Sequence, residues 1–170
     1  EYGSRAGFWR LHRMFTQRQM PVTVFGVASA MARHPEAVAA MTGAGWEIAS
    51  HGLKWIDYRD FSPAAERAQI DEAVAVQERL TGARPLGMYQ GRTSENTIAL
   101  TMAEGGFLYS ADTYADELPY YIEGPNGRGG TGPFLIVPYT LDANDMRFAT
   151  PQGFNAGDQF FAYLKDSFDV

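Results

Sequence analysis

One histidine of this chain follows a strand-like segment directly, which is a position where enzymes place reactive groups. Residues 46–50 are half apolar and are predicted to form a short strand, His51 comes next, and Trp55 lies four residues further on. In α/β enzymes the chemistry takes place at the carboxyl ends of the strands. An imidazole can transfer protons or bind a metal, whereas an indole offers a flat apolar face and an N–H donor. The pair predicts a cleft in which His51 transfers a proton or contacts substrate; the alternative is a core histidine bonded to backbone.

The composition limits the other kinds of site that this chain can build. The 170 residues fit one compact domain, and an apolar content of 45% is ordinary for a folded protein. The net charge of −6 argues against a nucleic-acid-binding protein, which needs clustered basic residues. No run of the sequence approaches the roughly 18 apolar residues of a membrane span. There is no cysteine and there are three histidines, His12, His34 and His51, which severely limits a histidine-built metal centre. We therefore expect neither a nucleic-acid nor a membrane partner.

Apolar periodicity and capping residues predict strands that alternate with helices. Strands are expected over residues 22–27, 46–50, 86–89, 107–109 and 134–137, and helices over residues 5–19, 35–41, 63–81, 95–104 and 156–168. Residues 111–132, acidic and then glycine-rich, are interpreted as a long functional or connecting loop. The alternation implies an α/β fold with parallel strands and right-handed crossovers. A (β/α) barrel or a piece of one is the first choice, and an open doubly wound sheet is the alternative.

Five blocks of sequence occur in a fixed order along the chain. They are residues 1–10 (EYGSRAGFWR), 34–52 (ending in EIASHG), 55–58 (WIDY), 91–97 (GRTSENT) and 138–148 (PYTLDANDMRF). In this order they resemble the polysaccharide deacetylase (NodB-homology) superfamily, and within it the branch that includes allantoinases. The resemblance implies the distorted (β/α) barrel of that family, or its central portion. We expect residues 1–170 to form a single deacetylase-like domain without the family's first strand and C-terminal segment.

The same resemblance implies an unusual reaction centre. Metal-using deacetylases hold a divalent cation with one aspartate and two histidines, the second histidine four residues after the first. Trp55 stands at that second position, so at most one imidazole, that of His51, remains as a metal ligand. The expectation is a pocket without a cofactor, in which Trp55 stacks on a small planar ring such as a hydantoin. A divalent metal such as zinc would instead support a deacetylase.

Motif positions imply the remaining site residues. His51, Arg92 and Asp116 are expected to be catalytic, with the Arg92 guanidinium holding a carboxylate or orienting a catalytic acid. Asp112 and Asp116 both follow the strand at 107–109, and either aspartate could pair with Arg92. The expected substrate contacts are Glu1, Arg5, Trp55, Tyr89, Tyr120 and Asn144. The alternative for each is structural: a surface charge, a core tyrosine, a solvated acidic loop or a turn.

The leading hypothesis is a C–N hydrolase that opens a cyclic amide with water, converting allantoin to allantoate in purine catabolism. The resemblance further implies a cytoplasmic homo-oligomer, a tetramer, whose partner is the small cyclic-amide substrate. One alternative is a metal-dependent N-deacetylase of peptidoglycan or another amino sugar, in carbohydrate metabolism. The other is a barrel that binds a small molecule without catalysis.

Overall fold

Helices and strands alternate along the chain in a computed structural model that describes residues 2–170. The chain divides into two compact units that meet between Pro138 and Tyr139. The single domain expected over residues 1–170 stays a prediction. In the described part of the chain, no helix has the length and apolar character needed to cross a membrane.

The first unit contains most of the regular structure. A π-helical turn, Gly3–Gly7, continues into helix α1, Phe8–Gln17. The elements that follow are β1 (Thr23–Gly26), α2 (Ala28–Met31), α3 (Pro35–Gly43), β2 (Glu47–Ser50), α4 (Pro63–Thr81), β3 (Gly87–Met88), α5 (Thr97–Glu104), β4 (Tyr109–Ser110), β5 (Tyr120–Pro125) and β6 (Thr131–Ile136). The boundaries of α4 follow from its sequence, since the Ser62 hydroxyl caps its first turn and Gly82 adopts the left-handed conformation that ends it.

The strands form one six-stranded sheet in the order β1-β2-β3-β4-β6-β5. Strands β1, β2, β3, β4 and β6 are parallel, and neighbours in the sheet follow the order of the chain. An open doubly wound sheet reverses its strand order at a switch point, and these five strands do not. The order therefore favours the barrel over the doubly wound alternative.

The loop predicted over residues 111–132 is wrong in its second half, because β5 and β6 form an antiparallel hairpin. Along β5, half-buried residues alternate with exposed ones, as in a strand with one covered face. The hairpin turn lies in the glycine-rich segment, between Pro125 and Thr131. Gly127 and Gly129 have positive φ there, and the Asn126 side chain accepts the N–H groups of Arg128 and Gly130.

Helices cover one face of the sheet. Met88 of β3 and Ile136 of β6 pack in a buried cluster with residues of α4 and α5, and Ile48 of β2 packs against α2 and α3. Successive side chains on a strand point to opposite faces. The residues between these core positions, among them Phe25 and Tyr89, therefore lie on the other face of the sheet, where the candidate site is found.

The second unit consists of a 3-10 helix, Asp145–Ala149, and helix α6, Gly157–Asp169. Its aromatic residues Phe148, Phe154, Phe160 and Tyr163 pack on one another, with the Arg147 guanidinium over the rings of Phe154 and Tyr163. The helix predicted at 156–168 is confirmed. Phe161 and Phe168 of this helix are exposed, whereas Phe160 and Tyr163 pack on the aromatic residues that precede α6.

Candidate active site

The carboxyl ends of the parallel strands bring the sequence-predicted residues together. The first residue after β2, His51, donates its backbone N–H to Gly26 of β1 at 2.9 Å. The first residue after β3, Tyr89, donates its N–H to Ser50 at 2.9 Å. Ala111, after β4, continues the same pattern at 2.8 Å to the last carbonyl of β3. The sheet ladder thus extends into the site and fixes the backbone of each residue.

The His51 ring is held in a defined protonation state. Its Nδ1 lies 2.5 Å from the carbonyl oxygen of Tyr89. Because a carbonyl oxygen only accepts, Nδ1 carries the hydrogen and Nε2 keeps its lone pair. Burial lowers the pKa of His51, with the Tyr89 carbonyl acting in the opposite direction. The ring is therefore neutral near pH 7, with Nε2 available as a base.

Aromatic packing orients the imidazole. The rings of His51 and Tyr89 are stacked, with centroids 5.1 Å apart and planes at 17°. Tyr89 in turn packs on Phe25 at 5.4 Å, and its hydroxyl lies 3.1 Å from that of Tyr114. The predicted pocket tyrosine therefore contacts His51 through both its carbonyl and its ring.

Gly91 and Arg92 connect His51 to Trp55. Gly91 has φ +78°, and a Cβ added to it would lie 3.2 Å from Cε1 of His51. The next residue, Arg92, places its guanidinium carbon 4.7 Å from the centroid of the Trp55 ring, a cation–π contact. Trp55 is 62% exposed, so its indole lies on the surface of the protein. Two adjacent residues of one loop thus lie close to the imidazole and against the indole.

Position 91 favours glycine for two reasons, its positive φ and its close approach to His51. The variants Gly91→Ala and Gly82→Ala distinguish the two. Both glycines have φ +78°, but only Gly91 has a neighbour within 4 Å, since nothing lies that close to a Cβ at Gly82. We expect both variants to lose about 1 kcal/mol of stability from backbone strain. Only Gly91→Ala should shift the NMR signal of the His51 Cε1–H group. Equal shifts in the two variants would contradict the close approach of Gly91 to His51.

Asp112 lies against the start of the same loop. Its carboxylate accepts the N–H of Gln90 at 2.8 and 2.9 Å and that of Gly91 at 2.8 Å. Burial raises the pKa of Asp112 to about 6, with the bonds from Gln90 and Gly91 acting in the opposite direction. Asp116 is exposed and its carboxylate caps its own turn. Arg92 makes no ion pair with either aspartate in the region the structure describes.

The structure gives the remaining predicted residues other surroundings. Tyr120 is half-buried in β5, and Arg5 is exposed in the π-helical turn. Asn144 belongs to the second unit, where its side chain caps the 3-10 helix and donates to the Tyr139 hydroxyl at 2.9 Å. Glu1 lies outside the described residues. The roles proposed for these residues and for Asp116 stay predictions.

Three buried polar residues beside the loop were not singled out from the sequence. Tyr58 is fully buried and donates its backbone N–H to the Arg92 carbonyl at 3.1 Å. Gln90 is 2% exposed and packs on Gly52, whose φ is +70°. Glu66, in the first turn of α4, is 0% exposed. Their contacts join distant parts of the chain, so no local pattern identifies them.

The side chains at the site do not match the metal-binding set implied by the family. His51 offers one imidazole lone pair, and Trp55 has none to offer. Among residues 2–170, no group of three or more histidine, aspartate or glutamate side chains is placed to hold a cation. The donor set of the described residues therefore does not fit a divalent metal at His51.

Comparisons with known proteins agree on one family. The family model for polysaccharide deacetylases matches residues 1–106. A Schizosaccharomyces pombe protein assigned to the polysaccharide deacetylases is 36% identical over 181 residues, covering 100% of this chain and 57% of that protein. The crystal structure of PuuE allantoinase is 56% identical with a TM-score of 0.93, covering 100% of this chain and 55% of that one.

A structure from Pseudomonas aeruginosa PAO1, also assigned to the polysaccharide deacetylases, is 55% identical with a TM-score of 0.94. It is matched over 100% of this chain and 56% of its own. The chain thus spans about half the length of the proteins it matches. The superpositions confirm the predicted α/β fold class, a deacetylase-type (β/α) barrel or part of one. The chain belongs to the polysaccharide deacetylase family.

Proposed function

We propose that this chain carries the reaction centre of a hydrolase that opens a cyclic amide, with allantoin as substrate and allantoate as product. The observation that carries the proposal is the His51 ring, whose Nδ1 is hydrogen-bonded to the Tyr89 carbonyl. Trp55 stands where the family resemblance places a second histidine. The 56% identity to PuuE allantoinase supports the choice of substrate.

The proposed reaction uses His51 twice. Hydrolysis of an amide needs an activated water, stabilisation of the oxyanion and an acid for the departing nitrogen. Nε2 of His51 takes a proton from water as the water oxygen attacks the ring carbonyl. The resulting imidazolium then gives that proton to the ring nitrogen as the C–N bond breaks, which leaves a carboxylic acid and a ureido group. The carboxylic acid loses its proton to solvent and becomes the carboxylate of the product. The hydrogen bond from Nδ1 to Tyr89 strengthens when the ring is charged and so stabilises this intermediate state.

Arg92 and Trp55 bind the substrate in this proposal. The guanidinium attracts the negative charge that develops on the attacked oxygen and the carboxylate of the product. One face of the Trp55 indole is covered by Arg92, so a planar ring would stack on the other face or edge of this exposed side chain. The pair supplies charge and a flat surface beside the base.

Substitution of Trp55 tests the stacking role. Stacking of a planar ring on an aromatic side chain contributes about 0.5–1.5 kcal/mol beyond area burial. Trp55→Ala should therefore raise KM for the cyclic amide roughly two- to tenfold, with a smaller change in kcat, while Trp55→Phe should retain most of the affinity. Steady-state kinetics on the purified protein measures both constants. If the two variants had the same KM, the proposed stacking would be wrong.

A second candidate function is an N-deacetylase, favoured by the assignment of the Schizosaccharomyces pombe and Pseudomonas aeruginosa relatives. The two candidates differ in product and in metal requirement. The purified protein is incubated with allantoin or with an acetylated amino-sugar oligomer, each with and without chelator. We expect allantoate formation that the chelator does not abolish. Release of acetate that requires an added divalent cation such as zinc, with no ring opening, would favour the deacetylase.

The cytoplasmic location and the homotetramer implied by the resemblance stay predictions. Light scattering of the purified protein gives its mass and so tests the tetramer. A monomeric mass would remove that part of the hypothesis.

A further inference from the structure

We propose that Glu66 is a positioning residue for Arg92: its buried carboxylate fixes the loop between β3 and α5 so that the guanidinium stays over Trp55. The inference rests on the proposed function only for what Arg92 does to substrate. The contact between Glu66 and the loop stands on geometry alone.

The surroundings of Glu66 are unusual for a charged residue. The side chain is 0% exposed, and its carboxylate accepts hydrogen bonds from the Ser94 hydroxyl at 2.5 Å and from the Thr97 hydroxyl. It forms no ion pair with any lysine or arginine among the described residues. A buried carboxylate is costly unless hydrogen bonds compensate for the lost water. Here both compensating donors come from one short segment, 28 and 31 residues away in the chain.

The two hydroxyls are themselves oriented by the backbone. The Ser94 hydroxyl oxygen accepts the N–H of Asn96 at 2.9 Å, and the Thr97 hydroxyl oxygen accepts the N–H of Ser94 at 2.9 Å. Each hydroxyl therefore accepts within the turn and donates to Glu66. Because all of these bonds converge on one carboxylate, Glu66 fixes the turn that leads from Arg92 into α5.

The loop between β3 and α5 is held at three places: at its start, at the Arg92 carbonyl and at its end. Asp112 binds the N–H groups of Gln90 and Gly91 at its start, and Tyr58 donates to the Arg92 carbonyl at 3.1 Å. Glu66 supplies the third attachment at its end. The Arg92 side chain itself is exposed and is held by the Trp55 stack alone among the described contacts. Ordering an exposed arginine costs rotamer entropy, and a fixed backbone beneath the side chain limits the geometries that it can take.

A simpler explanation for Glu66 is its place in the first turn of α4, where an acidic residue interacts favourably with the helix dipole. That interaction requires only the charge and gives no reason for complete burial. It also predicts that loss of the charge affects α4 and leaves Arg92 unchanged. The two explanations therefore differ in whether substitution of Glu66 changes the surroundings of the Trp55 ring.

The test uses the indole N–H signal of Trp55 in a ¹H–¹⁵N NMR spectrum of the whole chain, assigned by its loss in Trp55→Phe. The variants are Glu66→Gln, Arg92→Ala and the double substitution. We expect each single variant to move the signal, and the double variant to match Arg92→Ala alone. Glu104→Gln is the control, since the Glu104 side chain is also largely buried, at 10% exposure, and its carboxylate accepts hydrogen bonds from the Arg84 guanidinium and the N–H of Gly106. Its Trp55 signal should not move.

An unchanged Trp55 signal in Glu66→Gln, or a shift of equal size with and without Arg92, would overturn the proposal. If Glu66→Gln does not fold, Ser94→Ala and Thr97→Val each remove one donor and leave the carboxylate in place. Each of these variants should then give a smaller shift in the same direction, and no shift in both would overturn the proposal equally.

Kinetics separates this proposal from the proposed function. In the wild-type background, Glu66→Gln should reduce kcat/KM for allantoin roughly ten- to a hundredfold, the scale of a misplaced substrate-contacting group. When Arg92 is already alanine, Glu66→Gln should leave kcat/KM unchanged. Equal losses in both backgrounds would show that Glu66 acts independently of Arg92. If allantoin is not turned over at all, the proposed function fails while the NMR result still decides the role of Glu66.

Discussion

Replacement of His51 by alanine is expected to lower kcat for ring opening at least roughly a hundredfold, the usual scale for a general acid–base group. The reason is that Nε2 of His51 both activates the water and protonates the departing nitrogen in the proposed reaction. The measurement is steady-state turnover of allantoin by variants whose circular dichroism shows an unchanged fold. A folded His51→Ala variant with wild-type activity would remove the residue from the mechanism.

His34→Ala is the matched control for this experiment. His34 precedes α3, its side chain is 44% exposed, and it makes no capping hydrogen bond. Its removal should change kcat less than twofold. A large loss at position 34 would show that the assay responds to general damage and not to the chemistry of His51.

The dependence of kcat/KM on pH should follow the protonation of His51. Burial lowers the pKa of His51 below its ordinary value of 6.5, so the ring stays unprotonated, and active as a base, at pH values down to 6.5. The acid limb of kcat/KM should therefore fall below pH 6.5. An acid limb centred above pH 7 would mean that another group controls the reaction.

Replacement of Asp112 by alanine is expected to cause the largest loss of stability, about 2–5 kcal/mol in the free energy of unfolding. The N–H groups of Gln90 and Gly91 both depend on this carboxylate, and a buried donor without an acceptor costs about 1–3 kcal/mol. Urea denaturation at fixed pH measures the change. Asp116→Ala is the control, because its carboxylate is exposed and should contribute less than about 1 kcal/mol. Equal losses in the two variants would contradict the structural difference between these aspartates.

The pKa of Asp112 also gives this residue a pH dependence of defined sign. Its pKa is about 6 in the folded chain and about 3.9 when unfolded, so the folded state binds the proton more tightly. The stability from this group is then complete below about pH 4 and is lost as the pH rises through about 6. Relative to Asp112→Asn, which does not titrate, wild type should gain stability when the pH is lowered from 7 to 4. A difference that stays constant over this range would contradict the raised pKa.

Local sequence patterns predicted the parts of the site that depend on one element. A short apolar strand followed by a histidine placed His51 correctly at the carboxyl end of β2, and the alternation of elements anticipated the parallel strands. The hairpin of β5 and β6 was missed because its many glycines resemble a loop, although Gly124 and Gly132 lie in the paired strands and only the glycines between them form the turn.

Contacts between distant segments were beyond such patterns. Asp112 and Asp116 both follow β4, and only the path of the chain shows that Asp112 turns back to Gln90 and Gly91. Glu66 has an ordinary first-turn position in α4, and its burial depends on a loop that lies 28 residues later. Similarly, the described contact of Arg92 with the Trp55 ring joins two segments that no local pattern connects, and the role expected for Arg92 stays a prediction.

The measurement that tests the central claim most directly is a long-range ¹H–¹⁵N NMR spectrum of the His51 ring at pH 7. The account predicts a neutral imidazole with its hydrogen on Nδ1, where the Tyr89 carbonyl accepts it, and a free lone pair on Nε2. A hydrogen on Nε2, or a positively charged ring at this pH, would contradict it.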